Sequence, residues 1–80
     1  ENLINEFIMI NLRTHWGINL DTIGATFGTH VTQHILNQAQ APMDKGLVQI
    51  KNNTITLSRT GKLYADGIAA DLFVDNEKPY

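Results

Sequence analysis

The sequence predicts an α+β domain in which a β-hairpin is covered by helices. Three observations predict it. Residues 46–61 read GLVQIKNNTITLSRTG, with apolar and polar residues alternating on both sides of an asparagine pair. Residues 2–14 and 59–73 carry apolar side chains at helical spacing. The chain has eighty residues and 42% hydrophobic content, enough for one core and one domain.

The hairpin organises the rest. Asparagine tolerates the positive φ of a type I′ turn, so Asn52-Asn53 is a two-residue turn candidate. The register then follows: Lys51 faces Thr54, Ile50 faces Ile55, Gln49 faces Thr56 and Val48 faces Leu57. A slip of one residue would scramble both faces. A lone hairpin is marginal in water, so helices must cover its apolar side.

In chain order, residues 2–14 make the first helix. Leu3, Ile4, Phe7, Ile8, Ile10 and Leu12 form a wide apolar arc, more than a narrow stripe. Glu1 and Glu6 near its start and Arg13 near its end suit the helix dipole. Gly17 is a stop signal. Ile18-Asn19-Leu20 alternates and is a candidate third strand. Asp21 is the expected N-cap of a brief helix through Phe27, ended by Gly28. Thr29 is the expected cap of the next helix, which starts at His30. Its inner face is Val31, Ile35, Leu36 and Ala39, and Pro42 is expected to break or kink it.

After the hairpin, Ser58 is placed to cap a last helix from Arg59 to about Phe73. Leu63, Tyr64, Ile68, Leu72 and Phe73 recur along it at helical spacing. Gly61 and Gly67 weaken it by about 1 kcal/mol each relative to alanine. A close helix contact over Gly67 would account for that residue. The expected domain is residues 1–74, and the polar residues 75–80 are expected to be a flexible tail. The chain starts at Glu1, and Leu3 and Ile4 already carry a helical pattern, so we expect a piece of a longer protein. The order of elements is helix, short strand, helix, helix, strand, turn, strand, helix. This is the layout of a winged helix, with residues 21–27 and 30–41 as the helix-turn-helix and 47–58 as the wing.

Composition excludes several classes of function. With no cysteine there is no disulfide, thiol nucleophile or cysteine metal cluster. No apolar run is long enough to span a bilayer, and no basic-then-apolar leader is present. A cytoplasmic location is the expectation. Net charge is −2, and the cations Arg13, Lys45, Lys51, Arg59, Lys62 and Lys78 form no stripe.

That charge pattern bears on the main alternative, a DNA-binding winged-helix transcription regulator. The would-be recognition helix reads THVTQHILNQAQ and has no lysine or arginine. Gln33, Asn37, Gln38 and Gln40 could contact base edges. They would do so without neighbouring cations to neutralise phosphates, the main source of non-specific affinity. Lys51 at the wing tip supplies one contact. Nucleic acid is therefore not the expected partner. A salt titration of duplex DNA binding tests this.

No catalytic, cofactor-binding or metal-ligating residue is assigned. His30 and His34 share a helix face at i, i+4, a spacing that can hold a metal. HVTQH lacks the glutamate of the zinc-protease motif, and His15 is only an outside third ligand. Two solvated histidines are the plainer reading. Ser58 and Thr60 have no glycine-flanked elbow. Asp66 and Asp71 point about 140° apart on a helix, so they make no facing acid pair. Solvation or partner binding is expected for both. Trp16 and Tyr64 are expected in core packing or at a helix end, with an interface role open to Trp16.

Several segments together resemble one family. They are EFIMINLR (residues 6–13), Gly17, Ile18-Asn19-Leu20, TFG (26–28), GLV (46–48) and ITLSRTG (55–61) with the helix after it. Their order and spacing are similar to the C-terminal domain of oxygen-independent coproporphyrinogen III oxidase and its relatives, including radical S-adenosylmethionine heme chaperones. The resemblance runs from about Asn2 to Phe73. In that family an N-terminal barrel holds a [4Fe-4S] cluster on a Cys-x3-Cys-x2-Cys motif and binds S-adenosylmethionine there. This chain has no cysteine and cannot hold that cluster. The resemblance implies an accessory domain beside the barrel of an enzyme that decarboxylates coproporphyrinogen III to protoporphyrinogen IX, or of a heme carrier. A plain protein-interaction module is the third reading.

The wide apolar arc of the first helix carries more apolar surface than a small domain needs. Leu3, Ile4 and Phe7 or Ile8 are therefore expected to face the barrel or a neighbouring copy. Arg13 could point into a carboxylate site, though its own helix end or a local pair explains it more simply.

Overall fold

The asparagine pair sets the hairpin as its chemistry requires. In a computed structural model of the chain, which describes residues 3–74, Asn52 and Asn53 have φ of 53° and 60°. Both lie in the left-handed region that a type I′ turn uses. The flanking strands pair in the register expected from the sequence, Val48 with Leu57 through Lys51 with Thr54. We label the first helix α1 (Leu3–Leu12), then β1 (Ile18–Asn19), α2 (Leu20–Phe27), α3 (Thr29–Asp44), β2 (Val48–Lys51), β3 (Thr54–Leu57) and α4 (Ala65–Leu72). A 3-10 turn at Gly61–Tyr64 precedes α4.

The architecture is thus α+β, with four helices around a three-stranded antiparallel sheet in the order β1-β3-β2. β3 is central, pairing Ile55 with Ile18 of β1 and with Ile50 of β2. Ile8 and Leu12 of α1, Ile23 of α2, Ile35 of α3 and Leu72 of α4 converge with Ile18 and Ile55 in one core. The core holds no buried polar or charged residue among those described. Gly17 admits the chain into this core. Its φ is +73°, and a Cβ there would lie 2.2 Å from the Ile55 carbonyl oxygen.

Several boundaries differ from the sequence expectation, each for a local reason. α1 ends at Leu12, because the Thr14 hydroxyl donates to the Asn11 carbonyl at 2.8 Å and accepts from Gly17 N at 3.2 Å, turning the chain. Asn2, its expected first residue, lies outside the described residues. The third strand is only Ile18–Asn19, and Leu20 already belongs to α2. Asn19, not Asp21, caps α2, since its side chain accepts from Thr22 N at 3.0 Å. Asp21 instead accepts from the Asn53 amide at 2.7 Å and ties α2 to the hairpin turn.

Gly28, not Thr29, is the N-cap of α3, with φ of 109°, and Thr29 is the first helical residue. Pro42 does not end α3, which runs on to Asp44 with Pro42 buried inside. Pro42 removes one N–H donor close to the helix end, and its own carbonyl accepts from Leu47 N at 2.9 Å.

The segment after the hairpin is not one helix from Arg59 to Phe73. It is the 3-10 turn followed by α4, which stops at Leu72. Ser58 caps the turn, accepting from Gly61 N at 3.0 Å, while its hydroxyl donates to the Gly46 carbonyl at 2.7 Å. Leu63 and Tyr64 consequently point outward and join no core, contrary to their periodicity. The expected tail, residues 75–80, lies outside the described residues.

No close helix contact covers Gly67. A Cβ there would meet nothing within 4 Å. Gly67→Ala should therefore stabilise the chain by about 0.5–1 kcal/mol, through helix propensity alone. Thermal melting checks this, and a lowered melting temperature would show an unseen constraint at Gly67.

Candidate functional site

At 100° per residue, Ile8 and Leu12 of α1 point one way and Leu3, Glu6, Ile10 and Arg13 the other. The burial follows this division. Ile8 and Leu12 are at most 1% exposed, whereas Leu3 is 71% and Ile10 64% exposed. Ile4 and Phe7 lie between, half-buried against the core, with Phe7 edge-on to Phe27 of α2 at 5.9 Å. Of the four residues expected to face a partner, Leu3 is open, Ile4 and Phe7 are partly open, and Ile8 is fully internal. Ile8 is corrected on this point, because it packs in the domain's own core. Ile10 joins the outer face instead. Its spacing of seven from Leu3 was the signal for it.

α4 fixes the orientation of this face from one side. The Asn5 side chain grips the Val74 backbone, donating to its carbonyl at 3.1 Å and accepting from its N–H at 2.8 Å. At the other end of the helix, Arg13 pairs with Asp66 of α4. Arg13 thus meets a carboxylate of its own chain rather than its helix end. The pair is exposed on both sides, so its contribution to stability is at most about 1 kcal/mol. α1 and α4 pack on each other, and their buried residues Ile8, Leu12, Ile68 and Leu72 belong to the one core.

The remaining candidates are dispersed. His34 is half-buried, and its Nε2 lies 2.8 Å from the Phe73 carbonyl, so it is not a solvated histidine. His30 is exposed and its ring covers Gly28. Gln38 donates to the Asp71 carbonyl at 3.0 Å and Gln40 back to Leu36 at 3.5 Å, while Gln33 and Asn37 are exposed. Trp16 is 71% exposed and lies against His15, with ring centroids 4.0 Å apart. Trp16 and Tyr64 therefore pack in no core. Ser58 is occupied as a cap, and Thr60 is exposed beside it.

No described helix is long and apolar enough to cross a membrane. The fold and its surface define a small α+β domain with a continuous aliphatic core and an outer helix face that is partly apolar. Residues 1–64 match the family model of the HemN C-terminal domain, and the chain belongs to that family. No curated protein and no solved structure gives a significant match.

Proposed function

We propose that this chain is a non-catalytic accessory domain of an oxygen-independent coproporphyrinogen III oxidase-like radical S-adenosylmethionine protein, and that it docks on the cluster-bearing barrel through α1. The parent would decarboxylate coproporphyrinogen III or carry heme. One observation supports this reading above the others. In a member of the HemN C-terminal domain family, Leu3 and Ile10 sit in the open on one face of the first helix. Exposed aliphatic side chains in register are what a partner surface would cover. The [4Fe-4S] cluster does not fit this chain, which has no cysteine to ligate it. Its thiolates must come from the barrel.

On this reading the helices α2 and α3 form a helix-turn-helix and β2–β3 a wing, as in winged helix proteins. α3 is a poor reader of DNA. It has no lysine or arginine, and Gln38 and Gln40 are spent on carbonyls of the domain itself.

Coexpression of the barrel with this domain tests the proposal. Leu3→Glu with Ile10→Glu should weaken the complex at least about tenfold, since two apolar anchors become buried charges. The isolated double variant should melt close to the parent chain, because both side chains already face water. Unchanged affinity in the double variant would sink the proposal.

A further inference from the structure

Two segments of the domain, residues 3–7 and 73–74, hold no fully buried side chain. Along α1, Ile8 is the first described residue closed off in the core, and after α3 and the hairpin Leu72 is the last. Ile4, Phe7, Phe73 and Val74 pack on the core only in part. Polar ties join these two segments across the fold. Asn5 Nδ2 donates to the Val74 carbonyl at 3.1 Å, and Asn5 Oδ1 accepts from Val74 N at 2.8 Å. One amide side chain thus takes both main-chain groups of one residue, as a neighbouring strand would. His34 of α3 reaches the Phe73 carbonyl at 2.8 Å. A carbonyl only accepts, so His34 Nε2 carries the proton of that bond. Gln38, one turn further along α3, donates to the Asp71 carbonyl at 3.0 Å. Phe73 between them is extended, with φ −59° and ψ 145°. All these bonds end on main-chain atoms of residues 71–74.

We propose that residues 73–74 are a latch. Clasped by Asn5 on α1 and His34 on α3, they hold the first two turns of α1 closed on the domain, and Leu3 with them. These turns and the latch open together, in a local step short of unfolding. Two features support a joint opening. The segments lie 69 positions apart, yet each supplies the other with a two-bond clasp. Ile8, Leu12, Ile68 and Leu72 stay buried on the inner side of both, so the step breaks into no fully buried side chain. The consequence for docking rests on the reading of α1 as the barrel-facing helix. With the latch open, Leu3 leaves the docking face, and binding is weakened by the fraction of chains in that state.

Amide hydrogen exchange on the free chain, read residue by residue by NMR, tests the latch. Phe7 N and Ile8 N bond into the first turn of α1. They and Val74 N should exchange through one common opening, faster than the amides that pair β2 with β3. Asn5→Leu keeps the volume and removes both bonds, and should raise that opening at least about tenfold. His34→Phe keeps a ring and breaks only the tie from α3. It should speed Phe7 and Ile8 as well as Val74, although the broken tie touches none of the three. If His34→Phe speeds Val74 alone, or if Phe7 and Ile8 exchange as slowly as the hairpin amides, the latch is overturned. Asn5→Leu should also weaken docking several-fold with Leu3 and Ile10 in place. Unchanged docking in that variant, where Leu3→Glu with Ile10→Glu disrupts it, would overturn the control of docking by the latch. Unchanged docking in both would count against the barrel reading instead, and the exchange rates alone would then decide the latch.

Discussion

Gly61→Ala should destabilise the chain by more than about 3 kcal/mol, at the upper end of single-substitution effects. The cause is steric and cannot be relieved by a rotamer. A Cβ on Gly61 would stand 1.8 Å from the Leu47 carbonyl oxygen and 2.8 Å from its carbon. Both are backbone atoms at the entry to β2. Leu47 cannot simply retreat, because its carbonyl also accepts from Ser58 N at 2.9 Å and its N–H binds the Pro42 carbonyl. Any shift that frees the methyl group loosens the end of α3, the start of the hairpin and the 3-10 turn together. For a domain of this size the loss corresponds to a fall of roughly 12 °C or more in melting temperature. The expected results for the two glycines of this segment are opposite. Gly67→Ala raises the melting temperature and Gly61→Ala lowers it, although the sequence shows two glycines in one apparent helix. Circular dichroism melts of the two variants side by side decide this, and a Gly61→Ala melt within about 2 °C of the parent would contradict the geometry.

That contrast shows what the amino-acid order could and could not convey. The hairpin was readable to the residue. Its side chains alternate with period two about an asparagine pair, and only one register puts aliphatic against aliphatic. The cap of α2 was not readable, since Asn19 and Asp21 are equally good cap residues. The choice falls to Asn19 because β1 pairs with β3 and holds Asn19 extended at φ −83° and ψ 117°. Leu20 N is then bound to the Asn53 carbonyl at 2.9 Å, and the helix starts there. The break at Tyr64 depends on the approach of Gly61 to Leu47, a contact across fourteen positions that no local pattern announces.

The outer face of α1 was legible only in part for a related reason. Periodicity assigns a helix face when polar residues mark its outside. In α1 the apolar residues Leu3, Ile4, Phe7, Ile8, Met9, Ile10 and Leu12 spread over roughly 260° of the helix at 100° per residue, and Glu6 is the single charge within it. The pattern therefore announced surplus apolar surface without giving its direction. Only the burial of Ile8 and Leu12 in the common core fixes the inward side and leaves Leu3 and Ile10 outside. Family membership adds what neither periodicity nor packing supplies, that this is a HemN C-terminal domain.

Ile55→Ala is the second substitution expected to act strongly, with a loss of about 2–5 kcal/mol. Ile55 is fully buried on the central strand, opposite Ile18 on one side and Ile50 on the other. Truncation removes the middle of a row of three isoleucines and leaves a cavity beneath α1, which packs on both β1 and β3. The surroundings collapse poorly into that space. Gly17 already lies against the Ile55 backbone, and Ile18, held by the strand pairing, cannot slide without carrying β1 with it. Ile55→Val removes one methylene and should cost only about 0.5–1.5 kcal/mol, so the pair of variants separates loss of volume from loss of strand geometry. Urea unfolding of both checks the ordering. If Ile55→Ala cost no more than Ile55→Val, the core would be centred elsewhere. The position of α1 rests on this core, so on the proposed function Ile55→Ala should also weaken docking through Leu3 and Ile10 without touching either. Leu3→Glu with Ile10→Glu should do the reverse, weakening docking while stability holds.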